Sequence, residues 1–498
     1  MIYSEGGKNN LLLSRKLNLI FICICIVLLY LCLKNDIGMT LIKSISGIRG
    51  TIGGNVGEGL SPLDVVRFTA AYGTWIKQNR KVDSRKIVVG RDARLSGKMV
   101  ESLVVGTLIG LGLDVVNIGL ASTPTTEIAV QKEQACGGLI LTASHNPKQW
   151  NALKLLNERG EFLNDKEGKE VLSLAEKDQY IFAEVDDLGC VETKDYTQIH
   201  IDDVLSLKLV DTEKIKASKF RVAIDCVNSV GGVVLPQLLK KLGVEEILEL
   251  NCEPTGRFAH NPEPLPAHLT EISDLIKQKK VDVGFVVDPD VDRLAIICED
   301  GSMFGEEYTL VAVADYILSK TPGNTVSNLS STRALRDVTQ KYGGEYNAAA
   351  VGEVNVVTKM KDTQAVIGGE GNGGVIYPES HYGRDALVGI ALFLSLMSEK
   401  GISVSELRRE YPSYYISKNK IELTPEIDVD AILVAMKTKY VNEKVNDIDG
   451  VKIDFADSWV HLRKSNTEPI IRIYSEAATV EESEQLAQRI ISEIKSLI

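Results

Sequence analysis

Val281-Asp-Val-Gly-Phe-Val-Val-Asp-Pro-Asp-Val-Asp-Arg293 joins a seven-residue strand-like run to three aspartates, Asp288, Asp290 and Asp292. Carboxylates at i, i+2 and i+4 on a curled loop converge on one hard cation. A calcium EF-hand loop is one alternative, since Glu299 stands at its twelfth position. Against it, Arg293 occupies the sixth position, where that loop needs glycine for its turn, Pro289 is out of place, and strands rather than helices flank the segment. An aspartyl-phosphate phosphatase is a second alternative, with Asp288 as nucleophile and Asp290 as acid/base. A solvated acidic turn is the bland one, which the apolar strand immediately before the aspartates argues against.

Working outward, the same order of elements occurs three times. Lys86–Gly90, Leu113–Ile118 and Gly138–Thr142 read as strands, the last running into Ala143-Ser-His-Asn-Pro147. Phe220–Asp225 and Glu246–Leu250 precede the strand that ends at Asp288. Asn324–Asn328, Glu345–Ala349 and Ala365–Ile367 follow, the last leading into Gly368-Gly-Glu-Gly-Asn-Gly-Gly374. Apolar strands alternating with helical stretches predict mostly parallel sheets covered on both faces. Ligands bind beyond the C-terminal ends of such strands, so three polar strand ends facing one cleft would form one composite site. Ser61-Pro62, with Asp64 in the first turn, predicts a helix start.

The C-terminal part differs. Strands are expected at Lys418–Leu423, Val451–Phe455, Trp459–Arg463 and Ile470–Tyr474, with helices over Asp428–Val441 and from Val480 onward. Between two of the strands, Arg463-Lys-Ser-Asn-Thr-Glu-Pro469, with Arg472 beyond, offers guanidinium forks, hydroxyls and an amide suited to a dianionic phosphate. Gly47-Ile-Arg49-Gly50 and Gly90-Arg-Asp-Ala-Arg94 add arginines, for any of which a surface salt bridge is an equal reading.

Two other motifs carry competing readings. Ser144-His145 is no serine-hydrolase pair: adjacent residues of an extended chain point to opposite sides, and no Gly-x-Ser-x-Gly surrounds them. Thr142–Pro147 on its own is equally a simple turn. Gly369-Glu-Gly-Asn-Gly-Gly374 spells G-x-G-x-x-G, but strand-like Val375–Tyr377 follows instead of a helix. Close backbone approach to a ligand, with Glu370 and Asn372 as hydrogen-bonding groups, suits it better.

The chain has 498 residues, 44% hydrophobic and 25% charged, which is ordinary for a globular protein of several domains. With 56 Lys+Arg against 68 Asp+Glu the net charge is -12, which disfavours a broad nucleic-acid interface but not small anions. The cysteines beyond residue 33 are scattered without a CxxC pair and read as reduced thiols of the cytoplasm. Leu17–Leu33 holds a single polar side chain, Asn18, and as a helix would span ~25 Å of a ~30 Å bilayer core. Either it anchors the protein in a membrane, or translation begins at Met39 and residues 1–38 are no part of the working protein. The reduced-cysteine pattern favours the second reading.

Taken together, residues from Met39 onward resemble the α-D-phosphohexomutase superfamily. Four motifs stand in that family's order: Thr142–Pro147, Asp288–Arg293, Gly369–Gly374 and Arg463–Pro469. Asp-Pro-Asp-Val-Asp-Arg and Glu-Gly-Asn-Gly-Gly are similar to the archaeal-type phosphoglucosamine mutase branch. The resemblance implies three tandem doubly wound α/β domains with a mixed sheet (39–195, 196–302, 303–415) and a smaller α+β domain (416–498) around one central cleft. It implies an isomerase that interconverts hexose 6- and 1-phosphates through a phosphoserine and a bisphosphorylated sugar, with phosphoglucosamine mutase first and phosphomannomutase/phosphoglucomutase as the alternative. Catalytic roles are implied for Ser144, Lys154, Arg49 and His145. Mg²⁺ would be held by Asp288, Asp290, Asp292 and an oxygen of the Ser144 phosphate. Arg293, Glu370, Asn372, Arg463, Ser465, Asn466, Thr467 and Arg472 would bind the sugar phosphate. A sugar 1,6-bisphosphate is implied as intermediate and activator, and a monomer or homodimer is expected. Lys154 is expected to have a lowered pKa through neighbouring cations such as Arg49 or Arg293. Two departures stand out. Many relatives have glycines where Pro289 and Val291 stand, and many have serine and histidine where Asn372 and Gly374 stand, so one sugar-contacting side chain is expected to be missing.

Overall fold

A computed structural model describes residues 40–44, 47–422, 427–464 and 470–497. The apolar segment Leu17–Leu33, Met39 and the loop residues Ser465, Asn466 and Thr467 lie outside the described residues. The first sheet contains β1 (Ile42–Ser44), β2 (Gly47–Thr51), β3 (Lys86–Arg91), β4 (Asp114–Leu120), β5 (Gly137–Leu141), β6 (Trp150–Leu156) and β7 (Val191–Thr193), in the order β1-β2-β6-β5-β3-β4-β7. The second contains β8 (Arg221–Asp225), β9 (Glu246–Leu250), β10 (Val283–Val287) and β11 (Leu294–Cys298), in the order β11-β10-β8-β9. The third contains β12 (Thr325–Asn328), β13 (Tyr346–Ala349), β14 (Ile367–Glu370) and β15 (Gly374–Ile376), in the order β13-β12-β14-β15.

One pattern is used three times. In each sheet the third strand of the repeat pairs in parallel with the first, then hairpins into an antiparallel partner: β5 into β6, β10 into β11, β14 into β15. The hairpin loops are the three motif loops. The sheets are therefore mixed, since each motif strand folds back beside itself. The antiparallel return of β6 sets Lys154 opposite Ile140, just before Ser144. Gly368, Gly369 and Glu370 belong to β14, so its strand extends beyond the Ile367 end expected from sequence and the turn is only Gly371–Gly373.

The fourth sheet is antiparallel throughout: β16 (Tyr415–Glu422), β17 (Lys444–Asn446), β18 (Val451–Asp454), β19 (Trp459–Lys464) and β20 (Ile470–Ala477), ordered β16-β20-β19-β18-β17. Ile432 and Met436 of helix Val429–Lys439 and Leu486, Ile490 and Ile494 of helix Val480–Lys495 share its core with Ile453, Leu462, Ile471 and Ile473.

The expected helix start is present: Ser61 and Asp64 form a reciprocal capping box with Pro62 in the first turn of Pro62–Asn79. Helix Ala386–Lys400 is apolar on every side, and Ala386 to Met397 are all buried. A helix of that kind needs protein all round it. It lies in one continuous core shared by the second and third sheets, where Phe393 meets Phe285 and Phe304 edge to face at 6.1 and 5.4 Å. Among the described residues, no helix is long and apolar enough to cross a membrane. The five described cysteines are free, though folding brings Cys226 and Cys252 to 3.5 Å between sulfurs.

Candidate active site

Ser144 lies in the β5–β6 hairpin at φ +49°. That backbone costs a non-glycine residue of order 1 kcal/mol and persists only where neighbours enforce it. Here Arg94 enforces it. Its guanidinium donates to the carbonyls of Ser144, Asn146 (2.7 Å), Pro147 (2.8 Å) and Trp150 (3.1 Å), and its Nε to Asp92 Oδ2 (2.9 Å). Thr142 Oγ1 donates to the same Asp92 oxygen at 2.6 Å and accepts from the Ser144 amide at 2.9 Å. Arg94 is thus a buried brace of the loop, neither a surface ion pair nor a phosphate ligand.

The brace presents the Ser144 hydroxyl to Asp288, whose Oδ2 accepts from it at 2.8 Å. The three aspartates are fully buried, and one oxygen of each lies within 4.8 Å of the others. Asp288 Oδ1 accepts from the amides of Asp292 and Arg293, both at 3.2 Å. Asp290 Oδ2 accepts from Lys154 Nζ (2.7 Å) and Thr123 Oγ1 (2.6 Å). Asp290 Oδ1 and Asp292 Oδ1 are buried with no hydrogen-bond partner. Such orphaned carboxylate oxygens are costly unless something else satisfies them. Three hard oxygen donors with open lone pairs fit a divalent cation such as Mg²⁺ or Ca²⁺. Glu299 is not part of this group: it accepts from the amide and hydroxyl of Ser405, which removes the EF-hand alternative.

The loop pays a backbone cost of its own at Val291, which sits at φ +62°, a conformation for which glycine is the natural residue. Full burial of Val291 in the shared core, and acceptance by its carbonyl from the Ala386 amide at 3.3 Å, hold it there.

Electrostatics divide the aspartates. Burial, then repulsion from Asp290 and Asp292, pushes Asp288 well above the ordinary carboxylate range. Burial acts the same way on Asp290, but Lys154 outweighs it and holds Asp290 below that range. For Lys154 burial favours the neutral amine, yet Asp290 and Asp292 (2.7 and 3.6 Å) win and raise its pKa. The expected lowering by Arg49 or Arg293 is therefore reversed in this arrangement, because two carboxylates are nearer. Arg49 on β2 is itself lowered, by burial and by Arg293.

His145 Nδ1 lies 3.4 Å from Ser144 Oγ. The expectation that the two point apart assumed an extended chain, and the left-handed turn at Ser144 removes that premise. Burial, Arg293 and Arg49 push the imidazole down to about 2, so it is neutral at physiological pH. Arg293 sits over the metal loop with Nε 4.0 Å from Asp288 and Asp292 oxygens and Nη1 3.8 Å from Glu263.

The third hairpin meets the second directly: the Leu294 amide donates to the Gly373 carbonyl at 3.1 Å. Gly373 has φ +84°, and a Cβ there would overlap the Leu294 carbonyl. Glu370 is buried and accepts from Asn328 (2.9 Å), the Gly352 amide (3.1 Å) and Arg384 (3.0 Å). Asn372 Oδ1 is buried without a hydrogen-bond partner.

In the fourth sheet Arg463 and Arg472 are direct cross-strand partners on β19 and β20, which puts both guanidinium stems on one face. Arg463 Nη1 lies 3.5 Å from Asp449 Oδ2, and the same oxygen accepts from the Val351 amide of the third domain at 3.0 Å.

Sequence reading passed over Thr123 and Arg384. Thr123 opens helix Thr123–Lys132 and gives no motif signal. Arg384 did give one: Gly-Arg-Asp385 stands immediately before the apolar run Ala386–Leu394, and a charged pair there has to be partnered.

A serine hydroxyl on a buried group of three aspartates that could hold a cation, a lysine on the same aspartates, and three repeated α/β sheets define a phosphoryl-transfer isomerase. The chain belongs to the phosphoglucomutase/phosphomannomutase family: its α/β/α domains I, II and III match residues 41–181, 198–301 and 305–415, and its C-terminal domain matches 420–493. The chain is 33% identical to a phosphoglucomutase/phosphomannomutase of Thermococcus kodakarensis over 88% of its length and 96% of that protein's. It is also 33% identical to the phosphoglucosamine/phosphogalactosamine mutase of Sulfurisphaera tokodaii, over 91% and 98%. A crystal structure of a family protein from Burkholderia thailandensis shares the fold at a TM-score of 0.79, with 24% identity, covering 91% of this chain and 98% of that one.

Proposed function

We propose that this mutase interconverts glucosamine 6-phosphate and glucosamine 1-phosphate, with Ser144 as the phosphoryl carrier. The observation that carries the proposal is the 2.8 Å contact between Ser144 Oγ and Asp288 across two sheets, with Lys154 beside it. The similarity to archaeal phosphoglucosamine mutases supports the choice of sugar.

Asp288, Asp290 and Asp292 would hold Mg²⁺, which when bound offsets charge on the transferring phosphoryl group. The phosphate on Ser144 adds ~-1.5 to -2 charge at neutral pH, which Arg293 and Arg49 face. Lys154, freed from its carboxylates, exchanges a proton with the sugar hydroxyl that attacks or leaves. Neutral His145 orients the Ser144 oxygen. Glu370 and Asn372 on the third hairpin contact the sugar. The non-reacting phosphate rests in the cradle of Arg463, Ser465, Asn466, Thr467 and Arg472. One transfer yields a sugar 1,6-bisphosphate, which turns over and returns its other phosphate to Ser144. The cradle must therefore accept either end of the sugar, for which the last domain moves on a hinge. The working enzyme is a cytoplasmic monomer or homodimer.

The test is kcat/KM for glucosamine, glucose and mannose 6-phosphates side by side with trace bisphosphate. Preference for glucosamine 6-phosphate supports the proposal. Preference for mannose or glucose phosphate would transfer the enzyme to the phosphomannomutase/phosphoglucomutase reading.

A further inference from the structure

We propose that Arg384 is the positioning residue that joins the sugar hairpin to the metal hairpin, and that position 374 is glycine because the stem of Arg384 fills the space a side chain would need. The kinetic part rests on the mutase reading; the metal-binding part does not.

Arg384 lies outside all four motif loops and is buried. Each of its three guanidinium nitrogens takes a different carboxylate: Nε donates to Glu353 Oε2 at 2.9 Å, Nη1 to Glu370 Oε2 at 3.0 Å and Nη2 to Asp292 Oδ2 at 2.7 Å. One planar fork thus spans the second and third sheets. Each guanidinium nitrogen is engaged with a protein carboxylate, so it acts on the site through the groups it holds.

For Asp292 the consequence is a choice of oxygen. Oδ2 is taken by Arg384, and Oδ1 is the atom left buried without a hydrogen-bond partner. Arg384 therefore selects which oxygen Asp292 offers to a cation. For Glu370 the consequence is a fixed carboxylate, with Oε2 on Arg384 and Oε1 on Asn328 and the Gly352 amide. Lysine cannot replace a fork that meets three partners in one plane.

Gly374 is the other half of the device. Its φ is not among the positive ones, so its backbone does not require glycine. Space does: a Cβ there would overlap Cδ of Arg384 and stand 3.0 Å from its Cγ. Any side chain larger than hydrogen at 374 would collide with Arg384 in this position. Arg384 thus fills the space that the missing side chain of Gly374 leaves open.

The test is a double-mutant cycle of G374A, R384A and the double variant, read by Mn²⁺ affinity without sugar and by KM and kcat separately. In the native background G374A should weaken Mn²⁺ binding and lower kcat/KM by roughly tenfold or more, the scale of a lost charge-assisted bond. With Arg384 already alanine, G374A should add almost nothing, because the atoms it collides with are gone. R384K should not restore Mn²⁺ affinity. Since R384A strands three buried carboxylates, the cycle is repeated in an E353Q background with folding checked by circular dichroism. Independent, additive effects, or unchanged Mn²⁺ affinity in both single variants, would overturn the proposal. Absence of turnover in the native protein would instead sink the mutase reading and leave the Mn²⁺ arm standing.

Discussion

The ammonium of Lys154, on β6 of the first sheet, donates to Asp290 Oδ2 on the metal hairpin of the second sheet across 2.7 Å. The group proposed as acid/base thus places its own positive charge among the aspartates. A cation bound there would compete with Lys154 for the same carboxylates, so its binding would be coupled to release of Lys154.

The first prediction concerns that competition and pH. Burial and its acidic neighbours keep Asp288 protonated well above the usual carboxylate range. A metal needs the carboxylate form, so binding must expel this proton, and affinity must rise with pH. Calorimetric titration with Mg²⁺ at pH 6 and pH 8, in buffers of different ionisation enthalpy, should show tighter binding at pH 8 with net proton release. Equal affinity and no proton release would contradict the assignment.

Ser144→Ala should abolish the phosphate on the protein and reduce turnover by orders of magnitude. Intact mass before and after incubation with sugar 1,6-bisphosphate measures the first, and a coupled assay the second. A phosphate that maps to Asp288 in the native protein would favour the phosphatase-type chemistry.

Arg463→Ala should lower kcat/KM by roughly tenfold to a few hundredfold in both reaction directions, from the loss of charge-assisted contacts worth ~1.5–3 kcal/mol each. Phosphorylation of Ser144 should hardly change, because Arg463 sits on the fourth sheet. Loss in one direction only would be incompatible with a cradle used in both half-reactions.

His381 lies between Asp385 Oδ2 (3.2 Å) and Glu127 Oε2 (3.3 Å) and is fully enclosed. Burial opposes its charge, but the hydrogen bond with Asp385 and the Glu127 carboxylate beside Nδ1 win and raise its pKa to about 10. A folded pKa above the unfolded value means stability fully present below ~6.5 and lost as pH rises towards 10. Thermal unfolding of native protein and H381Q at pH 6 and pH 9.5 should show a steeper fall for the native protein. Parallel curves would mean that His381 is neutral in the fold.

Local chain chemistry determined a large part of this protein. Apolar runs such as Val283–Val287 are buried strands because nothing else satisfies five consecutive enclosed residues, and three aspartates after one of them had to face a cation or each other. Ser61, Pro62 and Asp64 started a helix because capping needs only residues within one turn. Pairings between distant segments were not written in any local pattern. That His145 touches Ser144 followed from one left-handed residue. That Lys154 is raised rather than lowered followed from the packing of the second sheet against the first, which put carboxylates nearer than arginines. That Arg94 is a brace, and that Gly374 leaves room for Arg384, depended on which side chains long-range packing brought within ~3 Å, the range at which hydrogen bonds and steric overlap act. Sequence spacing sets periodicity along a strand or helix, but only the tertiary structure decides which charges become neighbours across sheets.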